Sequence, residues 1–238
     1  MDGISTQDRQ EHLVSVCAGS VNLEGNLVIP AGAQGIVLFA HGSGSSRHSP
    51  RNRYVAAVLQ QEGLATLLLD LLTAKEEVID LQTRHLRFDI GLLATRLIGA
   101  TDWLRQAPTT QQLRIGYFGA STGSAAALIA ATRRPHDVDA IVSRGGRPDL
   151  AGSALTLVQA PTLLIVGSKD ISVIGMNQDA LALLSQASAK QLERIPGATH
   201  LFEEPGTLEQ VAVLASQWFK RYLIRSSKGL NTIEEDRL

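Results

Sequence analysis

The chain has 238 residues, of which 44% are hydrophobic and 19% are charged, as is typical of a folded globular protein. Its 22 Lys and Arg residues against 23 Asp and Glu give a net charge of −1, which offers no cationic surface for nucleic acid or an anionic membrane. The single cysteine, Cys17, excludes an intrachain disulfide, and we expect its thiol to be buried because it lies in an apolar run. With no long apolar segment and no signal peptide, the sequence favours a cytoplasmic protein.

Strand and helix patterns alternate along most of the chain. Short apolar runs predict strands at 12–17, 21–29, 36–40, 64–69, 113–118, 138–142, 161–166 and 191–195. Amphipathic stretches predict helices at 51–62, 89–106, 121–132, 178–186 and 208–224. This alternation predicts a single α/β domain over residues 1–238, built on a mostly parallel central sheet with helices on both faces. Loosely ordered tails are expected at 1–10 and 225–238.

A serine stands between two glycines where the fifth predicted strand passes into a helix. The stretch Gly119-Ala120-Ser121-Thr122-Gly123 has the G-x-S-x-G pattern of a nucleophile elbow, in which a strained backbone lifts the serine above the edge of the sheet. We expect the two glycines because strand and helix pass too closely there for a side chain. The pattern alone is also compatible with a corner that does no chemistry. Ser121 is the candidate nucleophile, and its assignment depends on whether the rest of the chain supplies catalytic partners.

A serine nucleophile needs a histidine base and a carboxylate that orients the base. In hydrolases with this elbow the acid and then the histidine follow the serine along the chain. Of the two histidines after Ser121, His200 directly follows the last predicted strand, whereas His136 lies in a turn expected at the opposite edge of the sheet. The acid candidate is Asp170, directly after the seventh predicted strand, and Asp149 is the alternative.

The tetrahedral intermediate of acyl transfer also needs backbone N–H groups aimed at its oxyanion. We assign these donors to Thr122, next to the nucleophile, and to Ser43, in the glycine-rich loop after the strand at 36–40. His41 and Gly42 in the same loop are candidates for substrate contacts. His41 is expected chiefly to brace the loop through its ring nitrogens.

Four arginines are predicted to lie on loops near the edge of this site: Arg47, Arg51, Arg144 and Arg147. They could clamp a carboxylate or phosphate of the substrate, because guanidinium binds planar anions through paired hydrogen bonds. The alternative is that they brace loops through salt bridges, for example with Asp149 or Glu77. Arg144 is the main substrate-binding candidate because it directly follows a core strand.

Four segments together resemble the α/β-hydrolase superfamily over roughly residues 12–224: the elbow, 39–42, 166–170 and 197–200. The resemblance is greatest to small dienelactone-hydrolase-like proteins. Two loops, 42–52 and 143–149, are also similar to the hydrolase domain that is sometimes fused to phosphoribosyltransferases, and we expect no phosphoribosyltransferase part in this sequence.

The resemblance implies an α/β-hydrolase fold with no cap domain, and a hydrolase with Ser121, Asp170 and His200 as its triad. Dienelactone hydrolases carry a cysteine nucleophile where this chain has serine, which favours ordinary carboxylic esters over dienelactone. An uncapped cleft suits soluble esters with short-to-medium acyl chains. The favoured function is therefore an esterase that works through an acyl-enzyme intermediate.

Two alternatives stay open. One is a thioesterase, peptidase or acyltransferase on the same triad, and the other is a non-catalytic small-molecule binder that kept the fold. The sequence holds neither an H-x-x-x-H pattern for a metal nor a G-x-G-x-x-G loop for a dinucleotide, so no cofactor is expected. The expected partner is a small-molecule ester, without nucleic acid or membrane, and the sequence leaves a homodimer open.

Overall fold

The structure, a computed structural model, describes residues 10–225. Eight strands lie in these residues: β1 His12–Ala18, β2 Val21–Val28, β3 Gly35–Ala40, β4 Ala65–Leu69, β5 Arg114–Ala120, β6 Val138–Arg144, β7 Thr162–Gly167 and β8 Lys190–Ile195. Six α-helices accompany them: α1 Pro50–Gln61, α2 Ala74–Thr83, α3 Ile90–Gln106, α4 Thr122–Arg133, α5 Ile171–Leu183 and α6 Thr207–Leu223. Two stretches are 3-10 helical, Leu86–Phe88 and Pro148–Leu157. The predicted tails lie outside the described residues except for their innermost positions.

The strands form one sheet in the order β1-β2-β4-β3-β5-β6-β7-β8. Strand β2 is antiparallel to both of its neighbours, and the strands from β4 across to β8 run parallel to one another. Every residue of β3, β4 and β7 is buried, as expected for strands that are covered on both faces. The predicted mostly parallel α/β architecture is confirmed.

An apolar core lies on each face of the sheet. On one face, α3 and α4 pack against alternate strand residues such as Leu38 and Tyr117. On the other face, α1 and α6 cover the intervening residues, among them Phe39 and Phe118, whose rings lie 4.9 Å apart. Each fully buried side chain of this size stabilises the fold by roughly 1.5–3 kcal/mol. Within residues 10–225 we find no helix whose length and hydrophobicity would let it cross a lipid bilayer.

Two local predictions are wrong. Cys17 is exposed, because it lies in the edge strand β1, where alternate side chains point to opposite faces and Val14, Val16 and Ala18 are the residues that face the core. Helix α5 begins at Ile171 rather than at residue 178. Its first turn is rich in β-branched residues that disfavour a helix, but burial of Val173 against the sheet overrides that preference.

The carboxyl ends of the parallel strands meet at one edge of the sheet, where open α/β sheets hold their ligands. The loops that follow β3, β5, β6, β7 and β8 lie along that edge, and they carry the candidate residues. His136 precedes β6 and therefore lies at the opposite edge, as predicted.

Candidate active site

Ser121 occupies a strained turn between β5 and α4. Its φ of 50° and ψ of −121° lie in a region that side-chain-bearing residues rarely adopt. The backbone is held there from both sides: the Ser121 N–H donates to the Arg144 carbonyl at 3.3 Å, and the Ser121 carbonyl accepts the Arg147 N–H at 3.1 Å. The surrounding loops thus hold Ser121 in a backbone conformation that is energetically unfavourable for an isolated residue.

The glycines of the elbow are required by close packing. A Cβ at Gly119 would lie 2.4 Å from the Ser124 Cα, and a Cβ at Gly123 would lie 2.3 Å from the Ala40 carbonyl oxygen. Real Cβ contacts essentially never fall under 3.0 Å. The predicted reason for the two glycines is confirmed, and α4 can begin directly behind the end of β3 only because both side chains are absent.

His200 and Asp170 form a hydrogen-bonded pair. The His200 Nδ1 and the Asp170 Oδ2 are 2.7 Å apart. Because a carboxylate only accepts, Nδ1 carries the proton and Nε2 is left as the acceptor. The imidazole is 39% exposed and the carboxylate only 12%, so the base faces the cleft while the acid is shielded behind it.

The loops after β7 and β8 hold this pair together by their backbones. The Lys169 N–H donates to the Ala198 carbonyl at 2.9 Å, and the Gly197 N–H donates to the Ser168 hydroxyl at 2.8 Å. A Cβ at Gly167 would lie 2.4 Å from the Ala198 oxygen, so only glycine lets the loops approach this closely. The acid and the base therefore meet although they follow different strands.

The alternative acid is engaged elsewhere. The Asp149 carboxylate accepts two hydrogen bonds from the Arg147 guanidinium, at 2.9 and 2.7 Å. This is one of the loop-bracing ion pairs that the sequence suggested. Of the two candidate carboxylates, only Asp170 contacts His200 in the structure.

Ser121 and His200 both lie against the segment 144–145. The Arg144 carbonyl holds the Ser121 N–H, and a Cβ built on Gly145 would lie 3.6 Å from the His200 Cε1 and 3.0 Å from its carbonyl oxygen. Among the hydrogen bonds within residues 10–225, none joins the Ser121 hydroxyl to the imidazole. In the structure, Asp170 and His200 are therefore in contact, and Ser121 lies against the backbone segment that His200 also contacts. Ser121 and His200 are not hydrogen-bonded to each other.

The two segments predicted to supply oxyanion donors are adjacent. Thr122 is the first residue of α4, so its N–H has no acceptor inside the helix. Ser43 is exposed in the loop after β3. Gly42 joins that loop to the elbow, because a Cβ at Gly42 would lie 3.0 Å from the Ser121 Cβ. The positive end of the α4 dipole lies at the same place and favours a developing negative charge.

Comparison with known proteins identifies the family of this chain. The profile of the family described as the Dienelactone hydrolase family matches residues 23–223. This chain belongs to the dienelactone hydrolase family. A crystal structure of a dienelactone hydrolase from Anabaena variabilis is 70% identical, superposes with a TM-score of 0.89, and is matched over 91% of this chain and 99% of its own.

Two further comparisons bear on fold and length. The esterase Pf2001 of Pyrococcus furiosus shares the fold with a TM-score of 0.73 at 17% identity, over 93% of this chain and 97% of its own. A curated protein of Mycobacterium tuberculosis named putative phosphoribosyl transferase is 56% identical over 223 residues, or 94% of this chain and 49% of the relative. The chain thus spans about half the length of the curated relatives it matches. The predicted family and α/β-hydrolase fold are confirmed, and both support a hydrolase.

In this member of the dienelactone hydrolase family, His41 uses both ring nitrogens inside the protein. Its Nε2 accepts the Leu71 N–H at 3.2 Å, so its Nδ1 carries the proton and donates to the Gly42 carbonyl at 2.9 Å. The ring therefore ties the loop after β3 to the end of β4. Burial lowers the pKa of His41 below its usual value, against the opposing charges of Asp70 and Glu77. These contacts favour the bracing role over substrate binding.

His41 is expected to make the fold sensitive to acid. Because the folded pKa is lowered, the unfolded chain binds the proton more readily, so this contribution is complete above about pH 6.5 and is lost as pH falls through the folded pKa. In urea titrations between pH 7 and pH 5, His41→Gln should flatten the pH dependence of the unfolding free energy, by at most about 1.4 kcal/mol per pH unit. His48→Gln, with an exposed side chain in the same loop, should keep the wild-type slope. If His41→Gln also keeps the wild-type slope, His41 takes up no proton when the chain unfolds, and this prediction is wrong.

Three of the four loop arginines are paired with carboxylates. Arg47 binds Asp70 and lies 2.6 Å from a Glu24 oxygen. Arg147 binds Asp149, and Arg51 lies 2.8 Å from a Glu203 oxygen. The salt-bridge alternative therefore holds for these three. Arg144 differs from them, because its guanidinium bonds the Asn52 side chain and has no carboxylate partner within residues 10–225.

Sequence reasoning missed Phe202, just after the base. It adopts a φ of 56° with its ring 1% exposed, which is unusual for a bulky residue. A Cβ on Gly145 would lie 3.3 Å from this ring, so Phe202 packs against the segment 144–145, which Ser121 and His200 also contact. No local pattern signals this conformation, because the left-handed turn depends on the ring's distant neighbours.

A small pocket opens next to the predicted oxyanion loop. It is bounded by residues 41–46 on one side and by α2 and the stretch after it on the other, with Glu77, Leu81 and Arg87 in its wall. Ser43, one of the two predicted oxyanion donors, lines this pocket, whereas Ser121, Thr122 and His200 do not. Its wall is mixed in polarity.

Proposed function

We propose that this chain is a serine esterase that cleaves carboxylic esters with short-to-medium acyl chains through an acyl-enzyme intermediate. The observation that carries the proposal is the hydrogen bond between His200 and Asp170 beside the strained elbow of Ser121. It leaves a basic Nε2 on an exposed imidazole at the edge of the sheet to which the elbow lifts the serine.

In the proposed reaction, the Ser121 hydroxyl attacks the ester carbonyl as His200 Nε2 takes its proton. Asp170 keeps the imidazole in the required tautomer and stabilises the imidazolium. The hydrogen bond between serine and base forms as substrate binds, since such bonds are often long in free enzymes. His200 then protonates the leaving alcohol, and water releases the acid from the acyl-enzyme with His200 acting again as the base.

The N–H groups of Thr122 and Ser43 stabilise the oxyanion of the tetrahedral intermediate. A donor of this kind lowers the barrier by roughly 2.7–4 kcal/mol. Backbone N–H groups suit the task because the elbow and the loop after β3 fix their positions before the substrate arrives. Their adjacency across Gly42 and Ser121 supports the assignment.

The connection between β6 and β7 supports the preference for soluble esters. Its 3-10 helical stretch, Pro148–Leu157, packs against α4 and α5. No cap covers the site within the described residues, because β6 and β7 are joined by this connection alone. An open cleft of this kind offers little apolar surface to a long acyl chain.

Labelling and a substrate series test this proposal. A fluorophosphonate probe should form one covalent adduct, located at Ser121 by peptide mass spectrometry. Para-nitrophenyl esters from acetate to laurate should be hydrolysed with kcat/KM highest among the shorter acyl chains. Acyl-thioesters and peptides are tested as substrates in parallel assays. Folded protein that is not labelled would indicate a binding protein, and labelled protein that turns over only thioesters or peptides would replace the esterase by those activities.

A further inference from the structure

Asn177 is a polar side chain buried in the middle of α5, with no exposed surface. Its Nδ2 donates to the Val173 carbonyl at 2.8 Å, one turn back in the helix, and to the Gly146 carbonyl of a distant loop at 3.0 Å. Its Oδ1 is buried and has no hydrogen-bond partner among the described residues. Because an unpaired buried oxygen destabilises a fold, stability alone does not call for an asparagine here.

Gly146 lies in the loop segment 144–147, which holds the backbone of the proposed nucleophile. The carbonyl of the segment's first residue accepts the Ser121 N–H at 3.3 Å, and the N–H of its last residue donates to the Ser121 carbonyl at 3.1 Å. Between these two bonds, the Gly146 carbonyl accepts a single hydrogen bond within residues 10–225, and the donor is Asn177. Asn177 therefore fixes the middle of the segment whose two ends fix Ser121.

The same segment lies against the proposed base. Gly145 has a φ of 51°, and a Cβ built on it would lie 3.6 Å from the His200 Cε1. Its N–H donates to the Ile165 carbonyl of β7 at 2.8 Å. A displacement of this segment would therefore change the separation between the Ser121 hydroxyl and the imidazole, which are the two groups that exchange a proton in the proposed reaction.

Helix α5, which carries Asn177, also begins at the proposed acid. Asp170 is the residue that precedes the first turn of α5, and its carboxylate lies 2.7 Å from the His200 Nδ1. Asn177 follows about two helical turns later. Val173 and Ile174, between them, pack on β7 and hold the helix in place. The Asn177 amide thus joins the helix of the acid to the segment that holds the nucleophile.

We propose that Asn177 is a positioning residue, which acts through the Gly146 carbonyl to keep the Ser121 elbow in register with the pair of Asp170 and His200. The inference rests on the proposed function, because it concerns the proton transfer of the same triad. Asn177 is fully buried, so it does not contact the substrate itself. Its effect is geometric, and a misplacement of reacting groups by about 1 Å can cost on the order of a hundredfold in rate.

Two substitutions at this position test the proposal. Asn177→Ser keeps a donor for the Val173 carbonyl, as serine in a helix commonly does, but its side chain is one bond too short for Gly146. Asn177→Leu removes both hydrogen bonds and fills the space with apolar atoms. Both variants should lower kcat for p-nitrophenyl acetate about tenfold to hundredfold with KM little changed, since both lose the bond to Gly146. Wild-type kcat in Asn177→Ser would overturn the proposal, whatever Asn177→Leu does.

Thr101→Val is the matched control for a purely structural effect. The Thr101 hydroxyl is also fully buried, and it also bonds one carbonyl a turn back in its helix and one distant partner, the Tyr117 hydroxyl. Thr101→Val and Asn177→Ser should each lower the melting temperature by roughly 2–4 °C. Assayed well below melting, Thr101→Val should keep the wild-type kcat. An equal loss of kcat in both variants would show that Asn177 only stabilises the fold.

Amide hydrogen exchange tests the connection without any turnover. In Asn177→Ser, the N–H groups of Ser121, Gly145 and Arg147 should exchange about tenfold faster than in the wild type, whereas Thr101→Val should leave their rates unchanged. Unchanged exchange in Asn177→Ser, or faster exchange with wild-type kcat, would overturn the positioning role.

Failure of the proposed function gives a different result. If the wild type neither hydrolyses p-nitrophenyl acetate nor reacts with the fluorophosphonate probe, the esterase proposal fails. The exchange rates then still decide whether Asn177 holds the elbow: faster exchange confined to the three amides in Asn177→Ser would support it, and wild-type rates would overturn it.

Discussion

Ser121→Ala is expected to lower kcat for ester hydrolysis by roughly 10⁴- to 10⁶-fold, because it removes the oxygen that would form the acyl-enzyme. The residual rate would come from the oxyanion donors and from substrate binding alone. The variant should fold normally, since alanine keeps the Cβ that the turn already accommodates at φ 50°. Burst and steady-state kinetics with p-nitrophenyl acetate measure the effect, and the acyl-enzyme burst should disappear.

Ser124→Ala is the matched control for this experiment. It makes the same chemical change one helical turn further along, where the hydroxyl bonds the Ser143 side chain instead of facing the cleft. It should cost about 1 kcal/mol of stability and leave kcat near the wild-type value. Full activity in Ser121→Ala, or an equal loss in both variants, would remove the nucleophile from the proposal.

The features that could be predicted from the sequence are those that depend on residues close together in the chain. Alternating apolar runs and amphipathic stretches predict the strand and helix order, because a sheet covered on both faces demands that periodicity. The elbow could be predicted because a turn this tight needs Gly119 and Gly123 within five residues. The pairing of Asp170 with His200 followed from two strand ends that had to meet at one edge of the sheet.

The features that were missed depend on distant neighbours. Cys17 lies in an apolar run like those of the core, and only its place in the edge strand leaves it exposed. The start of α5 at Ile171 is fixed by packing on β7 rather than by helix preference. The sequence could suggest that loop arginines bind carboxylates, but not which of them: the partner of Arg47 is Asp70, which follows the next strand.

Asp170→Asn is expected to lower kcat by about 10⁴-fold while the fold stays intact. The asparagine amide would donate to Nδ1 of His200, which moves the ring proton to Nε2, and an Nε2 that carries a proton cannot accept one from Ser121. The Asp170 side chain makes no capping bond to α5, so its replacement should not weaken that helix. Kinetics with p-nitrophenyl acetate should show the loss in kcat with KM little changed.

Asp149→Asn distinguishes this effect from the general loss of a carboxylate near the site. It breaks the half-exposed pair with Arg147, a change worth at most about 1 kcal/mol of stability, and it should leave kcat near the wild-type value. Both substitutions exchange one oxygen for an NH₂ group and remove one negative charge, so their difference reports only what each carboxylate touches. A large loss in Asp149→Asn with an active Asp170→Asn would transfer the acid's role to residue 149, and it would mean that the loop after β6 moves toward His200 during turnover.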